Sequence, residues 1–209
     1  MAYSYYRHLE NRILELPPGA VVTIADFTDI AVPKTVSKML KRLSADGAVR
    51  KVMRSLFWKP DGMHAEPAPN EVAKALAREN GWALAPSKDT ALHLIGMVEA
   101  SPKVWTYVTD GTYRKYHYGS QKIFFTHTGR SFRARLSEKT ALFIQSLKAY
   151  GKEKLTDDIK DRFTKLVSGW DLKTLAEETK GAAAWIREAT RAICRRVEVV
   201  NAKKTEQRI

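Results

Sequence analysis

The residues of this chain that could act as acids, bases, nucleophiles or metal ligands are scattered along the sequence. Five histidines and one cysteine occur in 209 residues, and no two of them have the spacing of metal ligands on a predicted helix. His117 and His127 lie on neighbouring predicted strands, where such side chains more often pack or face solvent. Asp157–Asp158 and Glu177–Glu178 are adjacent on predicted helices, so their side chains diverge by about 100° and form no acid/base pair. With no P-loop, GxSxG or GxGxxG motif, we expect no enzymatic activity, no metal and no cofactor.

Positive charge is the strongest chemical feature of the sequence. Lys and Arg number 36 against 23 Asp and Glu, a formal net charge of +13. A protein this basic usually binds a polyanion. Nucleic acid is the first candidate and an acidic protein the second, while a membrane surface is disfavoured because no long helix pairs a basic face with a bulky apolar one. The charge changes abruptly: residues 1–33 hold two Arg and four acids, whereas residues 34–59 hold eight Lys or Arg and one acid.

The residues before this change predict two helices. Apolar residues at helical spacing indicate a first helix that ends before Pro17. Thr23 and Asp26 resemble a capping box, in which each side chain accepts from the backbone N–H of the other residue, at the start of a short helix over residues 24–27. Residues 28–32 would then form a turn.

The basic segment predicts a third helix followed by a β hairpin. The helix begins at Pro33 and ends near Ala45, with Gly47 as a natural C-terminal stop. Residues 49–58 predict two strands joined by a turn near residues 53–55. We predict that the polar face of this helix and the hairpin contact DNA through Lys34, Thr35, Ser37, Lys38, Lys41, Arg42, Arg50, Lys51 and Arg54.

The order of these elements is that of a winged helix–turn–helix, which we assign to residues 1–60. A major groove admits such a helix, and Lys and Arg neutralise phosphates with release of counterions. A lysine-rich face on an isolated helix is more often only a solvated surface. Here the helix, the hairpin and the net charge agree, so the sequence favours binding to double-stranded DNA.

A proline-rich stretch separates this segment from the rest of the chain. The sequence KPDGMHAEPAP contains three prolines and one glycine, and we interpret residues 61–69 as a linker. Residues 70–209 predict a C-terminal α+β domain. It would contain a helix that opens at Pro69-Asn70, a second helix over 88–98, a small antiparallel sheet between 103 and 128, a helical end and a frayed tail. The predicted fold class is α+β.

A second basic patch lies on the predicted sheet. Residues 102–135 hold seven Lys or Arg and one acid. An anionic partner could bind there through Arg114, Lys115, Lys122, Arg130, Arg133 and Arg135. Interleaved aromatics would suit stacking with nucleic acid bases, but a sheet with aromatics inside and charges outside gives the same alternation, and we favour that interpretation for Tyr113, Tyr116, Tyr118, Phe124 and Phe125.

Six segments occur in a characteristic linear order between residues 10 and 195. They are LPPGAVVTIADF, the basic helix ending LKRLSADGAVRKV, SLFWKP, PNEVAKALARENGW, VTDGTYRKYHYGSQKIFF and a helical end with AAAWIREATRAI. This order resembles the AbiEi-type antitoxins of the AbiE (type IV) toxin–antitoxin systems. The resemblance implies a winged helix that binds operator repeats and represses its own operon. It also implies a C-terminal domain that counteracts a nucleotidyltransferase-like toxin without requiring a stable complex.

Three other functions remain open from the sequence. A stand-alone regulator would use its C-terminal domain to sense a ligand or to dimerise. The basic, aromatic strands would also permit an RNA-binding protein, and an enzyme of unknown type is a further alternative.

The cysteine count and the hydropathy indicate the compartment. Cys194 is the single cysteine, so no intramolecular disulfide can form, which favours a reducing cytoplasm. The N-terminus lacks the features of a signal peptide, and no run of about 18 apolar residues occurs. We therefore expect a cytoplasmic protein with no membrane partner.

Overall fold

The computed structural model describes residues 2–129 and 136–206, which form eight α helices and seven β strands. The helices are α1 (Ala2–Glu15), α2 (Pro33–Ala45), α3 (Pro69–Glu79), α4 (Lys88–Leu94), α5 (Glu138–Tyr150), α6 (Asp157–Val167), α7 (Leu172–Glu178) and α8 (Ala184–Glu206). The strands are β1 (Val21–Thr23), β2 (Arg50–Met53), β3 (Leu56–Trp58), β4 (Leu84–Pro86), β5 (Val104–Thr109), β6 (Arg114–Tyr118) and β7 (Gln121–His127). Short 3-10 helices cover Ala25–Phe27, Lys152–Lys154 and Thr179–Gly181. The predicted α+β class is confirmed.

The contacts between residues divide the chain into two compact units. Unit 1 comprises Met1–Leu84 and Gly111–Phe124, and unit 2 comprises Ala85–Asp110 and Phe125–Ile209. This division differs from the predicted boundaries at residues 60 and 70. Helix α3 belongs to unit 1 because it packs on β1 and the first 3-10 helix.

The core of unit 1 lies between α1, α2 and a three-stranded antiparallel sheet of order β1-β3-β2. Strand β3 is central, with Phe57 opposite both Val22 and Lys51. The apolar face of α2 is buried in this core with residues of α1, the sheet and the segments between them: Leu9, Ile13, Val22, Phe27, Ile30, Val36, Met39, Leu40, Leu43, Val49 and Phe57. One apolar core therefore fixes the orientation of α2.

The predicted bounds of α2 and the predicted hairpin are confirmed. Helix α2 spans Pro33–Ala45. Gly47 follows with φ +81°, and the N–H of Ala48 donates to the carbonyl of Leu43 at 3.0 Å, which closes the helix. The hairpin reverses at Arg54 and Ser55, between β2 and β3.

The segment that we interpreted as a linker is tied into unit 1. The carboxylate of Asp61 accepts from the backbone N–H groups of Met63 and His64, both at 2.9 Å. Pro67 is buried, and its carbonyl accepts from the hydroxyl of Tyr118 on β6 at 2.7 Å. Residues 61–68 therefore do not form a free spacer, because Pro67 is buried in unit 1 and hydrogen-bonded to Tyr118.

The close approach of an aromatic ring explains the glycine at position 111. A Cβ atom at this position would lie 2.2 Å from the indole ring of Trp82. Both residues belong to unit 1. The return of residues 111–124 to unit 1 therefore depends on a glycine where an aromatic ring covers the backbone.

The second sheet has the strand order β4-β5-β7-β6, so β6 is an edge strand. In unit 2, α4 and α5 pack together and α6 packs on α8. A second apolar core, which includes Phe143, Phe163 and Ile193, fills the helical end. Arg196 of α8 pairs with Asp157 and Asp161 of α6.

Two expectations for the C-terminal part are wrong. Helix α4 ends at Leu94 and not at residue 98, because Gly96 takes φ +73° and the N–H of Met97 donates to the carbonyl of Leu92 at 2.9 Å. The predicted frayed tail is helical as far as Glu206, since α8 continues beyond its buried residue Val197.

Candidate nucleic-acid interface

One face of α2 presents a row of lysines. Lys34, Lys38 and Lys41 follow the spacing i, i+4, i+7, which places them on the same face of a helix. All three are exposed. Thr35 and Ser37, the short polar residues near the N-terminus of the helix, are half-buried. The face is therefore a basic ridge with smaller hydroxyl groups at its flanks.

The elements that precede α2 are held by side-chain hydrogen bonds to the backbone. The predicted capping box forms: the Asp26 carboxylate accepts from the N–H of Thr23 at 2.8 Å, and the Thr23 hydroxyl accepts from the N–H of Asp26 at 3.3 Å. The short helix begins one residue later than predicted and is a 3-10 helix. Arg78 of α3 donates to the carbonyl of Val21 at 2.7 Å and pairs with Asp26 at 3.2 Å.

Arg12 fixes the same segment from the side of α1. Its guanidinium pairs with Asp29 at 2.6 Å, donates to the carbonyl of Asp26 at 3.0 Å, and lies 5.1 Å from the centroid of the Phe27 ring. The turn between the 3-10 helix and α2 is thereby anchored, with Ile30 buried inside it. This arrangement fixes the position of the N-terminus of α2.

Arg42 is less available than the three lysines. Its guanidinium carbon lies 4.6 Å from the centroid of the Tyr6 ring, a distance within the range of a cation–π interaction. The hydroxyl of Tyr6 donates to the carboxylate of Asp46 at 3.1 Å. Burial, followed by the hydrogen bond to Asp46, raises the pKa of Tyr6. Arg42 therefore joins α2 to α1 while it remains exposed to solvent.

The cations of the hairpin differ in the contacts that they make. Arg50 lies with its guanidinium carbon 5.9 Å from the centroid of the Trp58 ring. Lys51 and Arg54 are exposed, and Arg54 stands at the turn. Ser55 beside it has φ +72°, which is strained for a residue other than glycine.

Lys59, the last cation of the basic segment, has a structural role. Its ammonium group donates to the carbonyls of Leu14 and Leu16, at 2.7 and 2.6 Å. A positive charge at the C-terminal end of α1 stabilises the helix. This cation therefore contributes to the fold and leaves the surface charge to the other seven.

The surface of α2 and the hairpin carries uncompensated charge. Over residues 2–129 and 136–206, no hydrogen bond or ion pair engages the side chains of Lys34, Lys38, Lys41, Lys51 or Arg54. These side chains are exposed and their charges are solvated. An anion with several regularly spaced charges would relieve their mutual repulsion and release counterions on binding.

The structure describes three of the six residues of the second predicted patch. Arg114, Lys115 and Lys122 are exposed and belong to unit 1, and the ammonium of Lys115 lies 5.1 Å from the centroid of the Phe124 ring. Arg130, Arg133 and Arg135 lie outside the described residues.

The interleaved aromatics only partly follow the favoured interpretation. Tyr118 and Phe125 are buried, Tyr116 and Phe124 are half-buried, and Tyr113 is 72% exposed. The hydroxyl of Tyr118 has a raised pKa because it is buried near the charge of Glu66. Alternation therefore explains Tyr118 and Phe125, whereas Tyr113 projects into solvent.

Two kinds of site do not occur among the described residues, namely a metal-binding cluster and a membrane-spanning helix. Among residues 2–129 and 136–206, no three His, Cys, Asp or Glu side chains are placed so that they could hold a metal ion. His117 and His127 are both exposed. In the same residues no helix has the length and apolar character needed to cross a bilayer.

Sequence reasoning missed a concave surface next to the hairpin. The turn of the hairpin, the end of α3 and strand β6, all in unit 1, line a cavity of about 530 Å³. Arg54 of the first predicted patch and Arg114 of the second both line it. They are 60 residues apart in sequence, so only the packing of β6 in unit 1 could reveal their proximity.

Comparison with known proteins gives the family but no activity. A family of unknown function, DUF6088, matches residues 8–175. The chain therefore belongs to the DUF6088 family. No curated protein and no solved structure matches the chain.

Proposed function

We propose that residues 1–60 form a winged helix–turn–helix that binds duplex DNA, with α2 in the major groove and the β2–β3 hairpin as the wing. The observation that carries this proposal is the row of Lys34, Lys38 and Lys41 on α2, exposed and without an acidic partner among the described residues. The 3-10 helix, the turn and α2 supply the helix–turn–helix order, and β1, β3 and β2 supply the sheet of the wing.

The contacts around α2 support this mode of binding. The apolar stripe of the helix is fully engaged in the core, so only its basic face remains for a partner. Phosphates on either side of the groove would pair with the lysines and with Lys51 and Arg54 of the hairpin. Thr35 and Ser37 carry short hydroxyl groups near the N-terminus of the helix and would approach base edges or phosphates.

Fluorescence anisotropy with labelled DNA from upstream of the protein's own gene tests this proposal. We expect saturable, salt-sensitive binding that is tighter than binding to an unrelated duplex of equal length and to single-stranded RNA of the same sequence. Equal binding to all three nucleic acids would indicate only nonspecific electrostatic attraction to a polyanion. Preference for the RNA would favour the RNA-binding alternative.

We further propose that the protein is an antitoxin of the AbiEi type, which represses its own operon and counteracts a nucleotidyltransferase-like toxin. This part of the proposal rests on the ordered segments that resemble that family. Co-expression with the product of the adjacent gene tests it, with growth as the readout. Rescue of growth supports the antitoxin role, and a neighbour without nucleotidyltransferase motifs would instead favour a stand-alone regulator.

A further inference from the structure

The cavity beside the hairpin combines an apolar lining with two guanidinium groups. Met53, Leu56 and Leu76 contribute apolar surface to it, while Arg54 and Arg114 are exposed. Neither arginine makes a hydrogen bond or an ion pair within the described residues. Two unpaired guanidinium groups that line one concavity favour an anionic ligand with oxygen acceptors, because the planar fork of arginine matches a phosphate.

The acid in this cavity does not compensate the arginines fully. Glu79 lines the cavity, but its carboxylate accepts from the backbone N–H of Ala25 at 3.1 Å. Asn80 is directed to the backbone as well, since its side-chain amide donates to the carbonyl of Leu76 at 2.7 Å. The lining therefore carries two arginines against one carboxylate and is basic, with His117 as a further exposed group.

The exposure of the lining argues for an extended ligand. A small molecule is usually buried over most of its surface in an enclosed, mainly apolar pocket. Here Arg54, Arg114 and His117 are all exposed, so the concavity is an open groove. Arg54 also belongs to the hairpin that we propose as the wing, and the groove therefore continues the basic surface of that hairpin.

We propose that this groove holds a phosphate of the DNA backbone at the edge of the segment covered by α2 and the hairpin, with Arg54 and Arg114 as its ligands. The inference rests on the proposed binding of duplex DNA. It assigns to β6, an edge strand far from the winged helix in sequence, a place in the same interface. The two basic patches of the sequence then meet at one phosphate.

Single-phosphate neutralisation tests the inference. In the duplex bound by the wild type, methylphosphonate linkages would replace the phosphates one at a time, and affinity would be measured by anisotropy at about 0.1 M salt. We expect one or two positions beside the hairpin at which the wild type loses about eightfold in affinity, the value of one neutralised phosphate. Arg114→Gln should bind the unmodified duplex more weakly than the wild type and lose less than the wild type at those positions, since both changes weaken the same contact and only Arg54 remains as a ligand.

The controls separate this inference from the proposed function. Arg191→Gln removes the same charge from an exposed position on α8 and should keep the full sensitivity at those positions. If the unmodified duplex binds but the effects of Arg114→Gln and of every methylphosphonate are purely additive, the inference is overturned and DNA binding stands. Absence of binding to any duplex would overturn the proposed function itself. Inorganic phosphate could instead raise the unfolding temperature of the wild type but not of Arg114→Gln. Together with additive effects on DNA binding, this result would assign the groove to a small anion and also overturn the inference.

Discussion

Replacement of Lys38 and Lys41 by glutamine is the most direct perturbation of the proposed interface. Both side chains are exposed on α2 and make no hydrogen bond or ion pair within the described residues. Their removal should leave the core and the free energy of unfolding nearly unchanged, because surface substitutions of this kind usually fall within about 0.5 kcal/mol. Any loss of DNA affinity would then report on the interface and not on the fold.

The salt dependence of binding gives the expected magnitude. If the five unpaired cations of α2 and the hairpin each neutralise one phosphate, the slope of log Kobs against log salt is about −4.5. The double variant retains three such contacts, so its slope should be about −2.7. Between about 50 and 200 mM salt, the affinity of the wild type would fall about 500-fold and that of the variant about 40-fold.

Anisotropy titrations over this salt range provide the assay. Lys148→Gln combined with Lys165→Gln is the matched control, because it removes two exposed lysines from α5 and α6. The control should keep the wild-type slope. An unchanged slope in Lys38→Gln with Lys41→Gln, or an equal reduction in the control, would refute the placement of the phosphate contacts on α2.

Three further predictions concern stability. Gly111→Ala should lower the free energy of unfolding by about 1–3 kcal/mol, since the new methyl group would overlap the ring of Trp82, and chemical denaturation would measure this loss. Ser55→Gly should raise it by about 1 kcal/mol in the same assay, because glycine adopts the positive φ at the hairpin turn without strain. The backbone N–H and then the side chain of His64 lower the pKa of Asp61 to about 2, below its ordinary value of 3.8. Ionised Asp61 therefore stabilises the folded state above pH 3.8, and this contribution is lost as the pH falls towards 2. An NMR titration of its carboxyl carbon should show a midpoint near 2.

Each of these predictions has a matched control. Gly169→Ala places a methyl group where no atom lies within 4 Å, and an equal loss there would contradict the role of the Trp82 ring. Arg54→Gly adds glycine beside Ser55 at a residue without positive φ, and it should destabilise the protein. His64→Ala should raise the titration midpoint of Asp61, and an unchanged midpoint would contradict the assigned cause.

Much of the local structure around α2 could be predicted from the sequence. Pro33 and Gly47 mark the ends of α2, and Thr23 with Asp26 forms the predicted capping box. These signals involve residues within a few positions of one another, so they act before any tertiary contact forms. The C-terminal end of α4 shows where local signals fail, since the sequence predicted that the helix continues past Gly96.

Local signals could not predict which cations would make intramolecular contacts and which would remain exposed. Lys59 and Lys51 both belong to the basic segment of residues 34–59, yet the first binds the carbonyls at the end of α1 and the second is exposed on the hairpin. Arg42 and Lys41 are adjacent and both exposed, yet only Arg42 lies beside an aromatic ring of α1. A count of charge therefore locates the basic surface, and packing selects the side chains that remain free on it.

The sequence by itself determined the elements of unit 1, the abrupt change in charge at Lys34 and the exposed face of α2, because propensity, capping and helical periodicity are local properties. Tertiary structure alone decided that α3 and β6 belong to the same unit as α2. Arg78 reaches the carbonyl of Val21 over 57 residues, and Tyr118 reaches that of Pro67 over 51. Contacts at such separations depend on how whole elements pack, and they are the reason that Arg54 and Arg114 meet in one groove.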